Sequence, residues 1–311
     1  KILIIGSGSI AVKHAKILNN LNFKLDILSK RKELTKVFGN IKNIKFISNF
    51  KNITNKNYKF CIIANETYKH FEYLKKLINL NFNIYCEKPI AIKKNHLELL
   101  KKYSHRKKFK FTCGYQLLSS DIIKKLKKLI IQSNIKSVNV YVGHNIKYWR
   151  KNSRNKSYFF DKDLGGGAIY ELIHEISLIN NLFGKITSMK TFTNVSKKYN
   201  CHDIAVSIFK TKRNIIGTLN QEIINENFRR YINILTDKDE IIVDIFKGTI
   251  SKYRKNKIIY FKKFKNNTQE SMIKANLVKF IKILNNKHYN NYDLSSSIYD
   301  AELAIKMHND Q

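Results

Sequence analysis

Residues 6–11 read Gly-Ser-Gly-Ser-Ile-Ala and lie between a short apolar run, Ile2 to Ile5, and a helical apolar pattern from Ala11 to Leu21. This G-x-G-x-x-A turn, with a strand before it and a helix after it, constrains the chain more than any other stretch. Gly6 permits the tight turn, Gly8 lets a pyrophosphate approach the backbone, and the small Ala11 lets helix pack on strand. Ser9 and Ile10 open a helix whose first amides face the phosphates. A glycine turn in an unrelated α/β domain would carry the same letters, so the downstream pattern decides between them.

That pattern alternates strands with helices. Phe23 to Leu28 reads as a strand ending at Ser29-Lys30-Arg31. NAD sites place an acid near this point to hold the ribose hydroxyls, whereas a basic residue suits the 2′-phosphate of NADP. Asp26 lies inside the strand, too early for that role, so the expected cofactor is NADP or NAD, with NADP favoured. Phe60 to Ala64 is the next buried strand, followed by Asn65-Glu66-Thr67 and a helix over Thr67 to Asn81 with His70 in its first turn. Ile84-Tyr85-Cys86 then leads into Glu87-Lys88-Pro89, which holds the only proline in 311 residues. A proline fixes φ, and the residue before it is held extended, which aims Lys88 out of the sheet's carboxyl edge. A helix at Lys94 to Tyr103 and a strand at Lys110 to Cys113 lead to Gly114-Tyr115-Gln116. The expectation is α/β: a Rossmann-type, doubly wound parallel sheet over residues 1–117.

Residues 118–311 read differently, as an α+β domain with a largely antiparallel sheet. Leu117 to Ile131 reads as a helix, and Ser137 to His144 alternates as a half-exposed strand. A polar loop holds Tyr148-Trp149-Arg150. Gly165-Gly166-Gly167 opens an apolar helix, Ala168 to Leu182. Six strands with short turns follow between Thr187 and Tyr253, and helices return at Gln269–Leu284 and Ser295–Met307.

Charge offers a competing function. Lys+Arg number 59 against 23 Asp+Glu, a net +36, as in nucleic-acid binders. The lysines, however, are spread through every segment, and Asn and Ile are inflated beside them, as an AT-rich genome would produce. Weak, salt-sensitive binding to polyanions is expected, without specific nucleic-acid recognition. Cys61, Cys86, Cys113 and Cys201 form no C-x-x-C pair, so neither a zinc site nor a redox pair is expected and no metal ligands are assigned. No run reaches the ~18 apolar residues of a membrane span, and no signal-peptide pattern is present. The expectation is a reduced, cytoplasmic protein. The sequence opens on Lys1 directly into a strand, so a residue or two is expected to precede it.

Taken together, these motifs resemble the Gfo/Idh/MocA family of oxidoreductases, and the resemblance runs nearly end to end. Residues 6–14, Gly-Ser-Gly-Ser-Ile-Ala-Val-Lys-His, are similar to the family's G-x-G-S-I-G-x-R-H opening, with Ala11 at the third glycine. Asn65-Glu66-Thr67 with His70 resembles N-P-T-x-x-H, with Glu66 in place of Pro. Residues 165–178, GGGAIYELIHEISL, resemble the G-G-G-x-L-x-D-L-S-H-E-I-D form of one branch, often linked to bacterial surface carbohydrates. Glu171 stands at its Asp, His174 at its His, and Ser177 replaces its final Asp. Tyr148-Trp149-Arg150 and Arg229-Arg230 also look like that branch, whereas Gln116 and Leu118 depart from the Asn and Arg expected after Gly-Tyr.

The resemblance implies hydride transfer between NAD(P) and a sugar hydroxyl or carbonyl, a sugar substrate, a homo-oligomer built on the open sheet, and a cis Lys88–Pro89 bond. It places Gly6, Gly8, Ser9, Ile10, Ser29, Lys30, Arg31, Asn65, Thr67, His70, Glu87 and Lys88 at the cofactor. Alcohol oxidation needs a base near neutral pH and a cation for the developing alkoxide. His174 suits the first task and Lys88 the second. Glu171, three residues before His174 on one helix, would share its face and orient it. Tyr115, Trp149 and Arg150, with Glu171 and His174, are the expected substrate contacts, although the aromatics could equally be packing residues. The replacements at Glu171 and Ser177 also fit a family member that binds cofactor without turnover.

Overall fold

The computed structural model describes residues 1–51, 53–104, 109–149, 157–196, 199–285 and 294–309. It divides into two compact units, one of residues 1–115 and 273–301 and one of residues 116–272 and 302–311.

In the first unit the chain runs β1 (Ile2–Ile5), α1 (Ser9–Asn20), β2 (Leu25–Leu28), α2 (Leu34–Phe38), β3 (Ile44–Ile47), β4 (Phe60–Ile63), α3 (His70–Asn79), β5 (Ile84–Cys86), α4 (Lys94–Ser104) and β6 (Phe111–Cys113). The six strands form one sheet in the order β3-β2-β1-β4-β5-β6, and all of its pairings are parallel. This is the doubly wound order, with its switch point between β1 and β4. Five of the strands are buried along their whole length, as parallel strands covered on both faces must be. The exception is β3, which lies at the sheet's edge and is only partly buried.

In the second unit α5 (Asp121–Ile130) is followed by β7 (Ile135–Gly143), α6 (Ile146–Trp149), α7 (Gly167–Glu171), α8 (His174–Leu182), β8 (Ile186–Val195), β9 (His202–Thr211), β10 (Ile216–Glu222), β11 (Arg229–Thr236), β12 (Glu240–Asp244), β13 (Thr249–Arg254) and β14 (Lys257–Lys263). The expected helix from Leu117 instead begins at Asp121, because the Ser120 hydroxyl caps it by accepting from the Ile123 amide. The eight strands order as β14-β13-β12-β11-β7-β10-β9-β8. Every pairing is antiparallel except β7 with β10. Register puts Val138, Val140, Leu219, Ile232 and Ile234 on the buried face. The opposite face leaves Phe192, Ile208 and Leu235 more than half exposed.

Two helices close the chain, α9 (Gln269–Asn285) and α10 (Leu294–Asn309). The sequence reading placed everything after residue 117 in the second domain, but residues 273–301 belong to the first unit. The reason is packing. Ile273, Leu277, Phe280 and Ile283 join the core of β1, β2, β4 and α1. Phe280 meets Phe60 edge-on at 5.3 Å and Tyr85 at 6.0 Å. The Lys110 ammonium donates to the carbonyls of Ile283 and Leu284 near the end of α9. Among the described residues no helix is long and apolar enough to cross a membrane.

Truncating Phe280 leaves a cavity against two aromatic rings. Phe280→Ala is expected to cost about 3–5 kcal/mol in urea denaturation. A loss well below that range would show that α9 is not part of the first unit's core.

Candidate active site

The first unit gathers its site residues where β1, β2, β4, β5 and β6 end. Gly6 has φ +118°, and a Cβ there would lie 2.5 Å from the Ala64 carbonyl oxygen, so the turn presses the end of β1 on that of β4. A Cβ on Gly8 would meet nothing within 4 Å, which leaves the backbone open to close approach. Ser9 and Ile10 begin α1, and Ala11 is fully buried in the core. At the end of β2 the Ser29 and Ser7 hydroxyls pair at 2.9 Å, and the Arg31 guanidinium reaches the Ser7 carbonyl at 3.5 Å. Lys30 and Arg31 are exposed. Asp26 is committed elsewhere, accepting from Tyr58 Oη at 2.6 Å and pairing with Lys1 Nζ at 2.7 Å. No carboxylate therefore stands among residues 29–32 after β2.

After β4, both polar atoms of the Asn65 amide are buried without a protein partner, a feature that fits a ligand contact. Thr67 is buried in the 3-10 turn before α3. The His70 ring bridges two loops, with Nδ1 2.7 Å from the Pro89 carbonyl and Nε2 3.1 Å from that of Asn65. Burial pushes its pKa below the ordinary histidine value. Both facing groups are carbonyl oxygens, which can only accept, so in the shorter contact Nδ1 donates.

After β5, the Glu87 carboxylate turns inward. It accepts from His14 Nε2 at 2.7 Å, and a Cβ on Gly114 would lie 2.7 Å from its Oε2. His14 is wholly buried and packs edge-on to Tyr85, with 5.1 Å between centroids. Glu87 thus braces α1 against β6, and its partner His14 is the last residue of the 6–14 motif, a cofactor-loop or helix-start residue by sequence. The pair is separated by 73 residues, and no local pattern signals it. Lys88 follows, half-buried, and the Lys88–Pro89 bond is cis, as the resemblance implied. Tyr115 is fully buried, and its carbonyl accepts from Asn276.

The second unit holds the other candidates. In its 165–167 glycine run, Gly166 and Gly167 are packing positions. A Cβ on Gly166 would lie 2.4 Å from the Phe159 backbone, and one on Gly167, at φ +85°, 2.9 Å from the His202 carbonyl. Gly165, also at φ +85°, closes the preceding 3-10 turn. The expected single helix from Ala168 to Leu182 is in fact two, interrupted at Leu172 and Ile173, so Glu171 ends α7 and His174 begins α8. Buried Gln221 on β10 donates to the Leu172 carbonyl at 2.8 Å and so satisfies the interrupted backbone. Glu171 and His174 are both buried on either side of this break. Ser177 is buried as well, its hydroxyl bonded to the His174 carbonyl at 2.9 Å.

Sequence reasoning did not foresee the neighbouring ion pair. Glu175, fully buried, takes two bonds from the Arg230 guanidinium at 2.6 and 3.2 Å, tying α8 to β11. Nor did it foresee His202, which meets His308 at 3.2 Å, Nε2 to Nδ1, and is pushed down to about 4, chiefly by burial. Helix α6 packs through Ile146 into the apolar cluster that holds Leu172. Tyr148 and Asn145 both donate to Glu226, bracing the helix that ends at Trp149. Arg150 lies outside the described residues.

Comparison with known proteins agrees with this architecture. Residues 1–115 match the oxidoreductase family with the NAD-binding Rossmann fold, and residues 123–242 match the GFO/IDH/MocA C-terminal domain. The chain belongs to the Gfo/Idh/MocA oxidoreductase family. Oxidoreductase P35 of Formosa agariphila is 23% identical over 203 residues, 61% of this chain and 57% of that protein's own length. Levoglucosan dehydrogenase, solved with NADH, shares 13% identity over 99% of this chain and 96% of its own, with a TM-score of 0.84. The WlbA dehydrogenase of Bordetella pertussis, solved with NADH and UDP-GlcNAcA, shares 16% over 100% and 94%, with a TM-score of 0.78. At these identities the structural likeness is one of fold.

The Glu175–Arg230 pair yields a direct expectation. Arg230→Met strands a buried carboxylate and is expected to lower unfolding free energy by about 3–5 kcal/mol in urea. A loss under ~1 kcal/mol would place the pair with weak surface bridges instead.

Proposed function

We propose that this chain is an NAD(P)-dependent oxidoreductase that interconverts a hydroxyl and a carbonyl of a sugar or sugar derivative, with NADP favoured. The observation that carries the reading is that the open Gly8 backbone, the unpartnered Asn65 amide and Lys88 all follow the carboxyl ends of parallel strands β1, β4 and β5. In open α/β sheets that edge is where ligands bind.

Gly6, Gly8, Ser9 and Ile10 would hold the pyrophosphate. Ser29, Lys30 and Arg31 would hold a 2′-phosphate, a role favoured by the engagement of Asp26 with Tyr58 and Lys1. Asn65, Thr67 and His70 would border the nicotinamide, with Glu87 supporting Lys88. The bound nicotinamide supplies the hydride acceptor or donor. The Lys88 ammonium stabilises the developing alkoxide, the His174 imidazole takes the hydroxyl proton in oxidation and returns it in reduction, and Glu171 orients that ring. Tyr115, Trp149 and Arg150 are proposed substrate contacts. A nucleotide-linked or otherwise anionic sugar suits the +36 chain, and the WlbA complex with UDP-GlcNAcA is one such case. The exposed sheet face with Phe192, Ile208 and Leu235 is the proposed homo-oligomer surface, and the proposed location is the cytoplasm.

A panel of sugars and nucleotide sugars assayed with NADPH and NADH tests the proposal. Lys88→Met and His174→Asn are each expected to lower kcat by about 10²–10⁴-fold while calorimetric cofactor binding persists. Replacing Lys30 and Arg31 together should weaken NADPH more than NADH. Full activity in either single variant, or unchanged NADPH affinity in the double variant, contradicts the assigned role. Cofactor binding with no turnover on any sugar would favour a non-catalytic binding subunit.

A further inference from the structure

We propose that His14 and His70 are positioning residues for Lys88, tying its placement to the two turns that flank the dinucleotide. The inference rests on the proposed role of Lys88. Lys88 stands between two residues that are each held by a buried histidine from a different helix. On one side, His14 Nε2 donates to Glu87 Oε1 at 2.7 Å. On the other, His70 Nδ1 donates to the Pro89 carbonyl at 2.7 Å. Both rings are at most 2% exposed.

Each histidine belongs to the helix that follows a nucleotide-facing turn. His14 lies in α1 after the Gly6–Ala11 turn, and His70 opens α3 after Asn65. His70 also keeps its second nitrogen 3.1 Å from the Asn65 carbonyl. The Glu87 carboxylate lies against Gly114, its Oε2 2.7 Å from where a Cβ would stand, so only a glycine leaves it this place. A lysine side chain has a long flexible stem, so the accuracy of its ammonium depends on a fixed starting backbone. Misplacement by about 1 Å costs on the order of 100-fold in rate.

The two contacts use different ring nitrogens, and that difference provides the test. A Gln amide nitrogen reaches where His Nε2 sits, and an Asn amide nitrogen reaches where His Nδ1 sits. In the full-length protein, His14→Gln is expected to keep kcat within about threefold of native while His14→Asn loses about 10–100-fold, and His70→Asn, at a residue that also borders the proposed cofactor, is expected to retain about tenfold more kcat than His70→Gln. Cofactor Kd and thermal midpoint should be alike within each Gln/Asn pair, because a merely structural role would not separate the two amides by kcat alone. Leu at either position should behave like the poor amide, and if a Leu variant fails to fold, the amide pairs decide. Equal kcat for Gln and Asn at both positions, with Lys88→Met inactive, overturns the inference alone. Full activity of Lys88→Met overturns the reading of the site and this inference with it.

Discussion

Parallel strands cannot be joined by tight turns, so each connection must cross the sheet and return through a helix or loop. All six carboxyl ends of the first sheet therefore lie along one edge, and everything this chain can present to a dinucleotide follows from that constraint. The strands are only three or four residues long, so the residue just past each one reaches the edge at once. Gly6, Ser29, Ala64, Glu87 and Gly114 are those residues after β1, β2, β4, β5 and β6. Their side chains are shaped by one another. Ser7 pairs with Ser29, Gly6 closes on Ala64, and Gly114 closes on Glu87. The edge behaves as one packed surface, because a methyl group added at Gly6 or Gly114 would collide with the neighbouring strand's residue.

The second unit solves a different problem, that of holding buried polar groups inside an apolar helix pair. Glu171, His174, Glu175 and Ser177 are all buried within seven residues. Each buried polar group must find a partner or pay for desolvation. Arg230 answers Glu175, the His174 carbonyl answers Ser177, and Gln221 adds a short bond to the Leu172 carbonyl, which the Glu175 amide reaches only at 3.5 Å. All three ties fix the start of α8, so the position of His174 is set by the sheet beneath it as well as by its own helix. The triple glycine serves the same end, letting α7 begin in contact with the Phe159 and His202 backbones.

Much of this was legible from local sequence. Continuous apolar runs marked the central strands, the glycine turn marked the first crossover, and Glu-Lys-Pro marked the loop after β5. The edge strands β3 and β14 were missed, although the first opens on an Ile-Lys-Phe alternation and the second holds an apolar run at 258–261, because both are partly exposed and set among lysines. The helix interruption at Leu172 was invisible because the group that makes it tolerable, Gln221, lies 49 residues away. The His14–Glu87 and Glu175–Arg230 contacts span 73 and 55 residues, and helix α9 joins the first core through Phe280. Such pairings are decided by tertiary packing, which leaves no mark on a local window of sequence.

The central claim is that the carboxyl edge of the first sheet receives a nicotinamide dinucleotide at the Gly6–Ala11 turn. Calorimetric titration of NADPH and NADH at two salt concentrations, with Gly8→Val alongside, tests it most directly. The prediction is binding that survives high salt in the native chain and is lost in the valine variant, whose side chain would fill the open approach to the turn. Binding that disappears with salt, or that Gly8→Val leaves intact, would show that the +36 charge and not the turn holds the ligand, and would contradict the account.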